Sequence, residues 1–151
     1  MPSSPTSKAS RELADTIASD CLIVRSRYLN RTLTAIYDEI YRPLGATANQ
    51  LNLIVTIEKL RDASPQQLGK TLNIEKSTLS RNLERMRREG WIEIQKDGRQ
   101  QEVTTTTAGR KLLARSYPLW QEAQEKTRAL LGETGADSLV ETVNQIWNGN
   151  R

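Results

Sequence analysis

The side chains best suited to bind a ligand lie between residues 76 and 99, where arginine and hydroxyl groups recur at helical spacing. A guanidinium group can donate two hydrogen bonds to guanine O6 and N7 or to a phosphate. Serine and threonine at a helix start can contact bases or phosphates. Candidates for contact with double-stranded DNA are Ser77, Thr78, Ser80, Arg81, Arg85, Arg88 and Arg99.

One helix would present most of these side chains on a single face. The pattern predicts a helix from Lys76 to about Glu89, ended by Gly90, a favoured residue after a helix. At helical spacing the apolar residues form a narrow stripe that predicts a buried face, opposite the basic side chains. This stripe consists of Leu79, Leu83 and Met86.

Two earlier helices would support this one. Ser64 and Gln67 have the spacing of a capping box, which predicts a short helix from Pro65 to about Thr71. Together with the basic helix it would form a helix-turn-helix. A second capping box, Thr47 with Gln50, opens a helix to about Leu60. Its predicted core residues are Leu51, Ile54, Val55 and Ile57.

A charged β-hairpin is predicted directly after the basic helix. Residues 91–96 alternate in polarity, Asp97 and Gly98 are a turn signal, and residues 101–106 form the returning strand. Arg99 lies at the tip, where it could enter a minor groove, and Asp97 could hold it in place. A hairpin in this position is the wing of a winged helix.

Charge is concentrated in the same region. The chain has 22 basic and 18 acidic residues, a net charge of +4. Residues 76–115 contain ten basic and five acidic side chains, so this segment is +5 and the rest of the chain −1. This distribution favours attraction of the basic helix and hairpin to phosphates.

Composition argues against catalysis and against a membrane protein. The 151 residues include no histidine and one cysteine, and they contain neither a glycine-rich phosphate loop nor paired carboxylates. We therefore expect no enzyme, no metal site and no cofactor. No apolar run approaches the roughly 18 to 20 residues of a membrane span, and no secretory signal is visible. The sequence predicts a soluble, cytoplasmic protein.

Both ends of the chain are predicted to be helical and apolar. A long N-terminal helix carries Leu13, Ile17 and Cys21 at helical spacing, either as one helix or as two with a bend near Asp20. After the hairpin we expect a helix kinked or offset at Pro118, a break over residues 132–135, and a last helix over about residues 136–147. These apolar surfaces favour a homodimer in which both ends interlock.

The predicted fold class is mainly α with a small β-hairpin wing, a winged helix-turn-helix with N- and C-terminal dimerisation helices. Residues 1–9 would be a disordered tail, 10–45 the N-terminal helix for dimerisation and core, 46–109 the DNA-binding region, and 110–151 the C-terminal dimerisation helices. These parts would form one compact domain per chain.

Nearly the whole chain resembles the MarR (multiple antibiotic resistance regulator) family of winged-helix transcription regulators. The resemblance rests on RPLGAT at 42–47, EKSTLSR at 75–81, REGWI at 88–92, DGR at 97–99 and TTAG at 106–109. It implies a homodimer on a palindromic operator, usually a repressor, often released by a small anionic or phenolic ligand. Thr105 stands where the family commonly has an apolar residue, and the wing is shorter than usual.

Two alternatives remain open. Cys21 lies near the start of the first long helix, where the peroxide-sensing branch of the resembled family has its reactive cysteine, although a lone cysteine on an apolar stripe is typical of an inert core residue. A winged helix can also serve protein interaction, with its basic face against an acidic partner.

Overall fold

The computed structural model describes residues 5–61, 63–98 and 100–149. It divides the chain into one unit up to Ala35 and a larger one from Ile36 onward. The fold is mainly α with one antiparallel hairpin, as predicted. In chain order its elements are α1 (Pro5–Asp20), α2 (Leu22–Tyr41), a 3-10 turn (Arg42–Leu44), α3 (Ala48–Leu60), α4 (Pro65–Leu72), α5 (Lys76–Arg88), β1 (Ile92–Asp97), β2 (Gln100–Thr105), α6 (Thr107–Leu131) and α7 (Glu133–Gly149).

The N-terminal unit is helical and leaves several large apolar side chains exposed, among them Leu13, Ile17 and Leu22. Residues 5–9, predicted as part of a disordered tail, belong to α1, because Pro5 is compatible with the first turn of a helix. Residues 1–4 lie outside the described part. Of the two predicted forms of this region, the structure has two helices, separated at Cys21. The Arg25 side chain donates to the Ser19 carbonyl oxygen at 2.7 Å and so links the two helices.

The core of the larger unit is built around α3. Thr47 and Gln50 form the predicted capping box, with hydrogen bonds of 2.9 and 3.3 Å. Of the predicted core residues Leu51, Ile54 and Ile57 are buried, but Val55 is 49% exposed. The prediction for Val55 was wrong because the buried face of α3 is centred on Leu53 and Ile57, on the other side of the helix.

The C-terminal helices differ from the prediction at the break between them. Helix α6 contains Pro118 in its interior, and the kink or offset expected there stays a prediction. Since a proline removes only one helix hydrogen bond and displaces one carbonyl, a helix of 25 residues can continue past it. The break after α6 is confined to Gly132, and Gly135 lies inside α7. Arg128 of α6 pairs with Glu133 and Asp137 of α7 at 2.7 and 2.9 Å.

Two findings concern what the described ranges lack. None of the helices traced there combines the length and the apolar character that crossing a membrane requires. Within the same residues, no group of three potential metal-ligating side chains comes together.

Candidate nucleic-acid interface

The turn between α4 and α5 is fixed by local hydrogen bonds. Ser64 and Gln67 form the predicted capping box at the start of α4, with distances of 2.9 and 3.1 Å. Asn73 ends α4 in the left-handed conformation, with φ of 50°. The Ile74 amide then donates to the Gly69 carbonyl oxygen at 2.9 Å. These contacts form a helix-turn-helix in which α5 is the second helix.

Helix α5 has one buried and one exposed face. The predicted stripe of Leu79, Leu83 and Met86 is buried in the core. The structure brings six of the seven DNA-contact candidates together on the exposed surface of this one helix: Ser77, Thr78, Ser80, Arg81, Arg85 and Arg88. This exposed surface is hereafter called the α5 outer face.

One acidic side chain organises two arginines on this helix. The Glu84 carboxylate accepts from Arg87 Nε at 2.9 Å and from a terminal nitrogen of Arg87 at 2.9 Å. It also accepts from Arg88 Nε at 3.0 Å. The hydrogen bonds from Arg87 and then Arg88 lower the pKa of Glu84 to about 2, so the carboxylate is ionised at neutral pH. This cluster is absent from the sequence-based predictions, although a glutamate followed by arginines three and four residues later is a signal for it.

The wing is a regular two-stranded hairpin. Ile92 pairs with Thr105 and Asp97 with Gln100, so only two residues connect the strands. The first of them, Gly98, has φ of 59°, a conformation that glycine adopts without strain. Arg99, the predicted tip residue, lies outside the described residues, as does the side chain of Asp97. The predicted support of Arg99 by Asp97 therefore stays a prediction.

The base of the wing is tied to the helices on both sides. The Val103 amide donates to the Ala63 carbonyl oxygen at 2.8 Å, which joins β2 to the segment before α4. The Thr106 hydroxyl donates to the Gly90 carbonyl oxygen at 2.6 Å and accepts from the Gly109 amide at 3.1 Å. A Cβ at Gly109 would overlap the Trp91 carbonyl oxygen. The end of α5, the wing and the start of α6 are thus one packed junction.

Cys21 belongs to the N-terminal unit. It is half-buried at the break between α1 and α2, and it is a free thiol. Among the described side chains none forms a hydrogen bond or ion pair with its sulfur. Its proposed redox role stays a prediction from the sequence.

Comparison with known proteins finds similar sequences and structures. Residues 44–101 match the model of the MarR family. The M. tuberculosis transcriptional regulator MosR, also solved in complex with DNA, is 27% identical to this chain, with 87% of this chain and 98% of MosR covered and a TM-score of 0.74. A search of curated proteins finds no match.

Two more distant structures share the fold. A mutant MarR from E. coli in complex with operator DNA is 21% identical, with a TM-score of 0.75 and coverage of 86% of this chain and 96% of that one. BpsR from Bordetella bronchiseptica, whose DNA binding is regulated by 6-hydroxynicotinic acid, is 20% identical, with a TM-score of 0.74 and coverage of 85% and 95%. Residues 44–101 of this chain are thus similar to the model of the MarR family, and the chain shares its fold with these solved proteins.

Proposed function

We propose that this protein is a sequence-specific regulator that binds double-stranded DNA through the α5 outer face. The observation that carries the proposal is the grouping of three arginines and three hydroxyl side chains on an exposed helix whose other side is anchored by Leu79, Leu83 and Met86. Anchoring matters because base contacts require a helix held in a fixed orientation. MosR and the E. coli protein were both solved with DNA.

The proposal gives the parts of this interface different roles. Arg81 and Arg85 would donate to base edges in the major groove, because a guanidinium can bind guanine through two hydrogen bonds. Ser77, Thr78 and Ser80, at the start of α5, would contact bases or phosphates near the free amide groups of the first turn. Arg99, at the wing tip, would contact the neighbouring minor groove.

We also propose that the protein is a homodimer. Several large apolar side chains of the terminal helices are exposed in the single chain, among them Leu13, Leu22 and Tyr28 in the N-terminal unit and Val140 and Ile146 in α7. Surfaces of this kind are typical of contacts between subunits. A two-fold dimer would bind a palindromic operator, with half-sites about one turn of DNA apart, roughly 10 base pairs.

The proposal also covers how DNA binding is regulated. We infer that the protein is a cytoplasmic repressor released by a small anionic or phenolic ligand. BpsR supports this ligand class, because 6-hydroxynicotinic acid carries both a carboxyl and a ring hydroxyl group. A reporter gene with the bound sequence over its promoter would test the sign of regulation: lower transcription with the protein present is expected, and higher transcription would contradict repression.

Selection from a pool of random duplexes tests the core of the proposal. We expect an enriched palindrome whose affinity falls steeply with salt, by a slope of about 0.9 per neutralised phosphate on logarithmic axes. Arg81→Ala should reduce the preference at one base pair about tenfold. Arg99→Ala should weaken binding more evenly across sequences. Arg115→Ala, an exposed position on α6, removes the same charge and is the control.

Two outcomes would contradict the proposal. A protein that binds no duplex at low salt is not a DNA regulator, and the basic face would then serve a protein partner. An Arg81→Ala protein with unchanged sequence preference would show that Arg81 does not contact a base.

A further inference from the structure

Glu84 stands out because it is an acidic group among the side chains proposed to meet DNA. Helix α5 contains five basic residues and this one acid. A carboxylate near phosphates opposes binding by charge repulsion, so its presence on this helix requires an explanation. A simple explanation is helix stabilisation, since glutamate with arginine three or four residues later stabilises helices slightly.

The hydrogen-bonding pattern points to a more specific role. Arg87 uses two nitrogens on the two carboxylate oxygens, at 2.9 Å each. Arg88 is joined to the same carboxylate through Nε alone, at 3.0 Å. This leaves both terminal nitrogens of Arg88 available to a ligand, and they are the nitrogens that bind guanine or phosphate from outside.

The two arginines also differ in how exposed their side chains are. The Arg88 side chain is 74% exposed, whereas the Arg87 side chain is 51% exposed. Glu84 thus occupies Nε and one terminal nitrogen of Arg87, but only Nε of Arg88. The hydrogen bonds from Arg87 and then Arg88 lower the pKa of the Glu84 carboxyl to about 2, so the group that accepts them is ionised at neutral pH.

We propose that Glu84 is a positioning residue for DNA recognition, which withholds Arg87 from phosphates and fixes Arg88 so that its terminal nitrogens meet DNA in one orientation. This inference rests on the proposed function. Its consequence is specificity: an arginine held in one orientation favours the sequence that fits it. The carboxylate at the same time weakens binding to unrelated duplexes, where contacts go to phosphates alone.

Glu84→Gln is the variant that tests this role, because glutamine keeps the length of the side chain and its helix propensity while removing the charge. The measurement is the ratio of affinity for the selected duplex to affinity for an unrelated one, across a series of salt concentrations. We expect unrelated duplexes to bind more tightly, with a salt slope steeper by about 0.9 for one additional phosphate contact. The ratio should fall about tenfold, as for the loss of one good base contact.

Glu89→Gln is the matched control. Glu89 is exposed at the C-cap of α5, so the substitution removes the same charge from the same helix. It should raise the affinity for both duplexes together and leave their ratio unchanged. If Glu84→Gln behaves like Glu89→Gln, Glu84 contributes only charge and the inference is overturned.

A double-mutant cycle shows whether Glu84 acts through Arg88. In the Arg88→Ala background we expect Glu84→Gln to leave the affinity ratio unchanged; an undiminished fall would overturn the inference. A wild-type protein with no preference between the duplexes would instead contradict the proposed function, and this inference with it. A wild-type protein with a clear preference that survives Glu84→Gln would contradict the role of Glu84 alone.

Discussion

The winged helix buries its large apolar side chains, whereas the terminal helices leave several of theirs exposed. In the winged helix Leu53, Ile54 and Leu68 have no exposed surface, whereas Leu13 in α1 and Ile146 in α7 are about two-thirds exposed, at 65% and 59%. Burial of an apolar side chain stabilises a fold by about 1.5 to 3 kcal/mol. The winged helix therefore obtains its stability within one chain, and the terminal helices retain apolar surface that a second chain can cover. Four substitutions test this difference.

Leu53→Ala should have the largest effect. It leaves a cavity in the middle of the buried face of α3, and we expect the free energy of unfolding to fall by about 3 kcal/mol. Chemical denaturation measures this value. Val55→Ala, two residues along the same helix but 49% exposed, should change it by less than about 0.5 kcal/mol. Similar losses in the two variants would mean that α3 is buried on both sides.

Gly109→Ala should have the second-largest effect on stability. Its new Cβ would overlap the Trp91 carbonyl oxygen and lie 2.6 Å from Thr105 Cγ2, so the wing or α6 must shift. We expect a loss of about 2 kcal/mol in the free energy of unfolding. Gly135→Ala is the control: the nearest atom to its new Cβ would be Leu131 Cβ at the end of α6, 3.7 Å away, and alanine there should stabilise α7 by about 0.5 to 1 kcal/mol. Equal effects would show that the junction at Gly109 is loose.

Ile146→Ala tests the terminal helices. If a second chain covers this side chain, the substitution should cost about 1 kcal/mol, and only when the protein is concentrated enough to associate. Thermal unfolding followed across a hundredfold range of protein concentration measures this, with sedimentation to report the assembly. If the melting temperature does not depend on concentration in either the wild type or Ile146→Ala, no second chain covers α7. The terminal helices would then not differ from the winged helix in needing a second chain.

Thr105→Val should have the smallest effect, and the opposite sign. The Thr105 hydroxyl is buried and receives no hydrogen bond from the described residues. Valine keeps the shape and removes the unpaired group, so we expect a gain of about 1 kcal/mol. Thr104→Val, on the partly exposed side of the same strand, should have little effect. A loss of stability in Thr105→Val would show that its hydroxyl has a partner.

The elements of the winged helix could be predicted because their signals are local. Ser64 with Gln67 and Thr47 with Gln50 determine where two helices begin, and Gly90 follows the end of a third. Each signal depends on residues at most a few positions apart. The same holds for the outer face of α5, which follows from helical spacing alone.

Other features depend on contacts that a single sequence does not reveal. Val55 is apolar and at helical spacing, yet the direction of the core relative to α3 is set by distant elements. Gly135 is a local signal against a helix, but α7 includes it because neighbouring turns outweigh the cost at one position. The orientation of Arg88 depends on the rotamer in which its Nε reaches Glu84, and helical spacing alone does not determine that rotamer.

The junction around Thr106 also bears on how such a wing can change during evolution. Its base is fixed by the hydrogen bonds of Val103 to Ala63 and of Thr106 to Gly90, whereas its tip is a two-residue connection that begins with Gly98. Insertions at the tip lengthen the strands in pairs and leave the anchored base in register. The reach of the wing can therefore drift independently of the recognition helix, so a descendant can alter its contacts at the edge of a binding site while keeping those at the centre.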